Sequence, residues 1–150
     1  MAEVREGKGS CLCGSVRFLA KSTPVNVGAC HCTMCRKWGG GPFMELNCGP
    51  DVRWEGEDHI TVYDSSAWAE RGFCRSCGTH LFYRLKDTRE HMIPVGAFAE
   101  DEGLSLTLQV FTDEKPSWYH FAEKTKEMTG AEIFAMVQAQ ADSPGLKPED

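Results

Sequence analysis

The stretch Cys30-His31-Cys32-Thr33-Met34-Cys35 puts three thiols within six residues, and the rest of the chain reads as an arrangement around it. Cys11 and Cys13 form a C-x-C pair upstream, Cys74 and Cys77 form a C-x-x-C pair downstream, and of the eight cysteines Cys48 alone stands apart. Eight cysteines would permit disulfides, but these spacings suit metal ligation better. The start of the chain, Met1 to Ser10, is polar and charged and carries no apolar run of the secretory kind, so the protein is expected in the cytosol, where disulfides are disfavoured.

Ligand arithmetic then divides the cysteines. A structural zinc site is closed by four ligands, whereas a catalytic one takes three from the protein and keeps a position for water or substrate. The two isolated pairs cannot saturate an ion separately; together Cys11, Cys13, Cys74 and Cys77 make a four-cysteine site that pins an early strand to a later knuckle. Cys30, Cys32 and Cys35 are left for a second ion, one ligand short unless Cys48 or His31 closes the set. If Cys48 does so, both ions are structural. A redox reading of Cys32-x-x-Cys35 is weaker, because no βαβ pattern surrounds it.

Outside the cysteines the hydrophobic pattern is that of short strands. Val16, Phe18 and Ala20 alternate with their neighbours over Ser15 to Ala20, and Cys11 and Cys13, entering this run in extended backbone, would face the same way. Lys21 to Gly28 reads as a loop. Phe43 to Leu46, Val52 to Trp54, His59 to Tyr63, Thr79 to Leu85 and Met92 to Phe98 are β-like runs divided by turn residues, and Leu104, Leu106, Leu108 and Val110 give the clearest alternation. Ser65 to Gly72 has no clean period. Gly78, directly after the C-x-x-C, suits a tight knuckle that needs positive φ. Thr129-Gly130-Ala131-Glu132 fits a capping box, opening a helix with Ile133, Phe134, Met136 and Val137 on its apolar side. The expectation is a mainly β fold of packed antiparallel sheets with a short C-terminal helix, one domain over 1–141, and a disordered tail over 142–150.

Composition narrows the function classes. With 41% hydrophobic and 25% charged residues the chain is ordinary for a globular protein, and no apolar run approaches the roughly 20 residues of a membrane span. A formal net charge of -6, with scattered Lys and Arg, argues against a general nucleic-acid binder. The remaining histidines, His59, His80, His91 and His120, have no metal spacing, and no Ser-His-Asp order, phosphate-binding glycine loop or paired-carboxylate signal stands out.

Four blocks together carry a family resemblance: Gly9-Ser10-Cys11-Leu12-Cys13-Gly14, Cys30-His31-Cys32-Thr33-Met34-Cys35-Arg36-Lys37-Trp38, Ser65-Ser66, and Arg71-Gly72-Phe73-Cys74-Arg75-Ser76-Cys77-Gly78. In this order and spacing the chain resembles the glutathione-dependent formaldehyde-activating enzyme family, which also includes centromere protein V. The resemblance implies a β-sandwich-like domain with two zinc ions, a structural one on Cys11, Cys13, Cys74 and Cys77 and a catalytic one on Cys30, Cys32 and Cys35. It also implies carbon-sulfur lyase or synthase chemistry on a glutathione-aldehyde adduct of the S-hydroxymethylglutathione type; that no nucleic-acid or membrane partner is expected follows from the charge and composition above. The chain departs from the family at Gly96-Ala97-Phe98-Ala99-Glu100 and at Gln109-Val110, where a His-Ile pair is common.

A zinc ion with an open position can take a substrate thiol and deprotonate it at neutral pH. Arg36 and Lys37 are candidates for offsetting the charge of three thiolates or for holding substrate carboxylates, although a solvated turn explains Lys37 as well. Gly39-Gly40-Gly41 would let a ligand lie against backbone, and a plain turn explains them equally. The competing reading is a non-catalytic zinc module that binds a partner through the C-terminal helix or a sheet edge.

Overall fold

A computed structural model describes residues 4–142, and it is mainly β. The backbone divides into two compact units, residues 4–25 with 45–104 and residues 26–44 with 105–142.

The first unit carries two antiparallel sheets. One has the order β1-β2-β5, built from β1 (Val4–Ser10), β2 (Arg17–Pro24) and β5 (Val52–Glu55). The other runs from β4 (Phe43–Asn47) through β9 (His91–Pro94), β8 (His80–Leu85) and β7 (Ala69–Cys74) to β6 (Ile60–Tyr63). Alternation in β2 buries Phe18 and Ala20, a register irregularity against β1 brings Thr23 inward as well, and the face of Phe18 meets the second sheet through rings. Phe18 lies 5.3 Å from Trp54, Trp54 lies 5.3 Å from Phe82, and Phe82 lies 5.6 Å from His91 in edge-on geometry. Such tilted pairs add to what burial of the rings alone supplies. Leu46, Leu81 and Ile93 complete this core at 1% exposure or less.

The second unit is organised differently. Its strands, β3 (Asn26–Cys30), β10 (Ser105–Val110) and β11 (Lys126–Met128), are parallel, with β10 in the middle. Antiparallel sheets describe the first unit only; periodicity marks which face of a strand is buried but carries no information about its direction. Two helices belong here, α1 (Thr33–Gly39) and α2 (Gly130–Asp142). The capping box of α2 forms as expected: the Thr129 amide donates to Glu132 Oε1 at 2.9 Å, and the Glu132 amide donates to Thr129 Oγ1 at 3.2 Å. Its apolar side is not buried among the described residues, since Phe134, Met136 and Val137 are exposed. Most of the tail expected over 142–150 lies outside the described residues.

Other stretches also differ from the sequence reading. β1 pairs along the polar segment Val4–Ser10, whose residues alternate charge and glycine rather than apolar side chains, as an edge strand permits. The expected loop over 21–28 is instead the end of β2 and the start of β3. β7 occupies the aperiodic stretch because both its faces are largely buried. Cys11 and Cys13 sit on a tight turn and not in extended backbone, with the Gly14 amide donating to the Cys11 carbonyl at 3.2 Å.

Two positions in the first unit yield tests. Gly56 has φ of +80°, and a Cβ there would lie 2.0 Å from the Ser15 carbonyl oxygen. Gly56→Ala is therefore expected to cost on the order of 2–4 kcal/mol and to lower the melting temperature by about 5–10 °C; an unchanged melting curve would contradict the close approach. Glu45 of β4 has its Oε2 sealed from solvent with no hydrogen-bond partner, and burial pushes its carboxyl up to about 8. Between the ordinary carboxyl range and that value the folded chain holds a proton that the unfolded chain has lost, so stability falls as pH rises through this window. Denaturant titrations at about pH 5 and about pH 8.5 should show that fall in the parent and a flattened profile in Glu45→Gln, with the variant more stable than the parent by at least ~1 kcal/mol at the upper pH.

Candidate metal centres

The first unit gathers Cys11, Cys13, Cys74 and Cys77 from two turns. Cys11 and Cys13 occupy the turn between β1 and β2. Cys74 ends β7, and Cys77 lies in the turn to β8, closed by Gly78 at φ +79° with its amide donating to the Cys74 carbonyl at 2.7 Å. The Thr79 hydroxyl joins the turns, accepting from the Leu12 amide at 3.0 Å and lying 3.2 Å from Cys77 Sγ. Cys13 Sγ is 3.7 Å from Cys11 Sγ and 3.8 Å from Cys74 Sγ. These separations are far too long for disulfides. They equal the edge of a tetrahedron of sulfurs around zinc, about 3.8 Å for Zn–S bonds of about 2.3 Å.

The electrostatics of this cluster favour thiolate at its rim. The Thr79 hydroxyl and amide push the Cys77 thiol down to about 5, and the Ser15 hydroxyl and amide lower Cys13. Burial raises Cys11, which accepts a hydrogen bond from the Val16 amide at 3.3 Å. The donor set, soft sulfur alone, suits a tetrahedral zinc or another thiophilic ion.

The second unit gathers Cys30, Cys32 and Cys35, whose sulfurs lie within 4.8 Å of one another. Cys30 is the last residue of β3. Cys32 is the N-cap of α1, with φ -63° and ψ 154°, and its Sγ accepts from the Cys35 amide at 3.3 Å. The C-x-x-C spacing is thus a capping geometry that turns two thiols toward each other, at the start of a helix to which the sequence reading gives no element; only its end, at Gly39, falls in the expected glycine turn. Gly40 ends it at φ +86°. Neighbouring Cys32 and Cys35 hold the Cys30 thiol far above its ordinary range, and burial adds to this; the three sulfurs cannot all ionise without a cation among them.

No fourth His, Cys, Asp or Glu joins this group among the described residues. Cys48 is 1% exposed and its Sγ neighbours are Thr23 Oγ1 at 3.9 Å and the Leu46 carbonyl at 3.6 Å. His31 is fully buried, but its ring points away from the thiols, with Tyr119 Oη 2.7 Å from Nδ1 and Gln109 Oε1 2.8 Å from Nε2. Arg36 is not a solvated charge: its Nε donates to the His31 carbonyl at 2.9 Å and its Nη2 to the Glu114 carbonyl at 3.1 Å. Lys37 is exposed. Trp38 and Phe43 meet edge-on at 5.8 Å, and a side chain at Gly39, Gly40 or Gly41 would meet open space.

The sequence reading missed the segment that supports this cluster. After β10, Phe111 takes the left-handed conformation at φ 55°, at a cost of order 1 kcal/mol, and turns the chain back. Glu114 then accepts from both the amide and the hydroxyl of Thr33, at 2.8 and 2.9 Å, at the start of α1. Lys115 Nζ donates to the carbonyls of Pro116 and Tyr119 and places Tyr119 against His31. No spacing rule marks Gln109, Glu114 or Tyr119, because each acts across at least 78 residues of sequence.

Comparison with known proteins places this geometry. Residues 6–114 match the sequence profile of the glutathione-dependent formaldehyde-activating enzyme. An uncharacterized lyase of Schizosaccharomyces pombe is 32% identical over 133 residues, spanning 88% of this chain and 97% of that one. A provisionally named glutathione-dependent formaldehyde-activating enzyme of Halomonas elongata is 28% identical over 133 residues, spanning 80% and 83%. The crystal structure of a Rhodobacter sphaeroides protein superposes with a TM-score of 0.54 at 25% identity, over 65% of this chain and 90% of that one. With a profile match that reaches from β1 to Glu114 and takes in all seven clustered cysteines, the chain belongs to the glutathione-dependent formaldehyde-activating enzyme family.

Proposed function

We propose that the protein is a zinc-dependent carbon-sulfur lyase or synthase acting on a glutathione-aldehyde adduct of the S-hydroxymethylglutathione type. The observation that carries this reading is the inequality of the two clusters: four thiols in one, three in the other, with no further donor beside the three among the described residues. Four thiolates saturate a zinc ion and three leave a coordination position. Cys11, Cys13, Cys74 and Cys77 are assigned the structural ion, and Cys30, Cys32 and Cys35 the reacting one.

Zinc on three thiolates would supply a site at which a substrate thiol loses its proton at neutral pH. The chain's own residues set the conditions. The Cys32 cap geometry and the Cys30 strand end keep the donors in place, and the exposed glycine turn after α1 leaves backbone open beside them. In the synthetic direction the sulfur forms a bond to the aldehyde carbon, the carbonyl π pair moves to oxygen, and that oxygen takes up a proton; the lyase direction reverses each change, with no net redox. Glutathione is the expected thiol, as in the family name.

A second reading, a zinc module that docks a partner, draws support from the exposed Phe134, Met136 and Val137 of α2. Metal content separates the two. Two zinc ions per chain, one labile to a mild chelator and displaced by glutathione, belong to the enzyme; two equally inert ions belong to the module.

The activity is tested by following interconversion of glutathione and formaldehyde with their adduct by proton exchange spectroscopy. Acceleration in proportion to zinc-loaded protein is expected, and its absence at high protein concentration would sink the formaldehyde assignment. The division of labour has its own test. Cys77→Ser is expected to lose its fold or aggregate, while Cys35→Ser keeps a parent-like circular dichroism spectrum and binds one zinc ion fewer. Equal loss of fold in both variants would refute the division.

A further inference from the structure

His31 lies between two members of the three-thiol cluster yet turns its ring away from them, and what it meets there is a continuous polar chain inside the second unit. Gln109 Oε1 can only accept, so His31 Nε2 carries the ring proton and donates to it at 2.8 Å. The neutral ring then presents a bare Nδ1, which accepts from the Tyr119 hydroxyl at 2.7 Å. Gln109 uses its own Nε2 to donate to Thr125 Oγ1 at 2.9 Å. The backbone of His31 is held as well: its amide donates to the Val110 carbonyl at 3.1 Å, and its carbonyl accepts from Arg36 Nε at 2.9 Å.

Every polar atom of His31 is therefore satisfied inside the protein, at 0% exposure. A buried imidazole with both nitrogens engaged has one tautomer and one orientation. Because Cys30 and Cys32 are its immediate neighbours in the chain, fixing His31 fixes the directions in which their Cβ atoms leave the backbone. The partners sit on β10 and on the segment between β10 and β11, so the spacing of the thiols is set by residues some 80 positions away.

We infer that Gln109 and Tyr119 are positioning residues for the Cys30-Cys32-Cys35 cluster, acting through His31 and not by touching metal or substrate. The inference rests on the reading of that cluster as an ion site, and it is independent of which thiol adduct is converted. Removing either hydrogen bond leaves a buried nitrogen unpaired and frees the ring to turn, which loosens two of three ligands at once. The four-cysteine site, supported by Thr79 and the turn amides, has no member of this chain among its residues.

The test is the rate at which the zinc-loaded full-length protein gives up its ions to a chromogenic chelator, read as two kinetic phases. Gln109→Leu and Tyr119→Phe are expected to speed release of the labile ion about 10–100-fold and leave the slow phase unchanged. Gln109→Glu, which keeps an acceptor oxygen for Nε2, is expected to return the labile phase toward the parent rate. Should Gln109→Leu fail to fold, Tyr119→Phe carries the test, since it removes only a hydroxyl. Parent-like release in all variants overturns the inference, as does a parallel acceleration of both phases with a lowered melting temperature, the signature of general destabilisation. A parent that binds a single zinc ion overturns the ion-site reading together with the inference, whereas two bound ions without adduct exchange count against the lyase assignment alone.

Discussion

Crowded sulfur is the constraint on which the rest of the structure depends. Seven thiols sit in two groups, the sulfurs of each within 4.8 Å of one another, and in the three-thiol group Cys32 and Cys35 hold the Cys30 thiol far above its ordinary range. In the first unit two glycine-closed turns present the sulfurs, and strands β2, β7 and β8 lead directly out of those turns. In the second, a strand end and a helix cap do the same. The sheets can be regarded as the means by which two distant turns are brought to a common point, because their register decides which cysteines face one another.

The cysteine grouping was legible in the sequence because ligand counting is local arithmetic: C-x-C and C-x-x-C are each half a site, and two halves make a whole. The helix cap at Thr129 and Glu132 was legible for the same reason, both partners lying within one turn. Alternation located β2 and β10. It failed for β7, buried on both sides, and for β1, whose pairing depends on its neighbour rather than on its own composition. It failed also for α1, where Cys32 serves as cap; thiols are weak acceptors, and sequence rules look for an oxygen there.

What the sequence left unseen in the site is long-range and polar. Glu114 at Thr33, Gln109 and Tyr119 at His31, and Arg36 at two carbonyls are contacts whose partners have no shared period or motif. They matter because they replace water around the cluster with fixed dipoles. Arg36 shows the cost of reading charge from sequence alone: beside a metal motif it suggests a counter-ion, yet its guanidinium is spent on main-chain carbonyls and serves as a brace.

The approach of Cys13 to Cys74 spans 61 positions of the chain and encloses everything from β2 through most of β7. A link across such a loop withdraws about 4 kcal/mol of configurational freedom from the open chain. A disulfide would do this permanently; an ion does it for as long as it remains bound. With an ion held there, the persistence of the first unit would be governed by ligand exchange as much as by its core, and loss of the metal would act on the amount of folded protein before it acted on any activity.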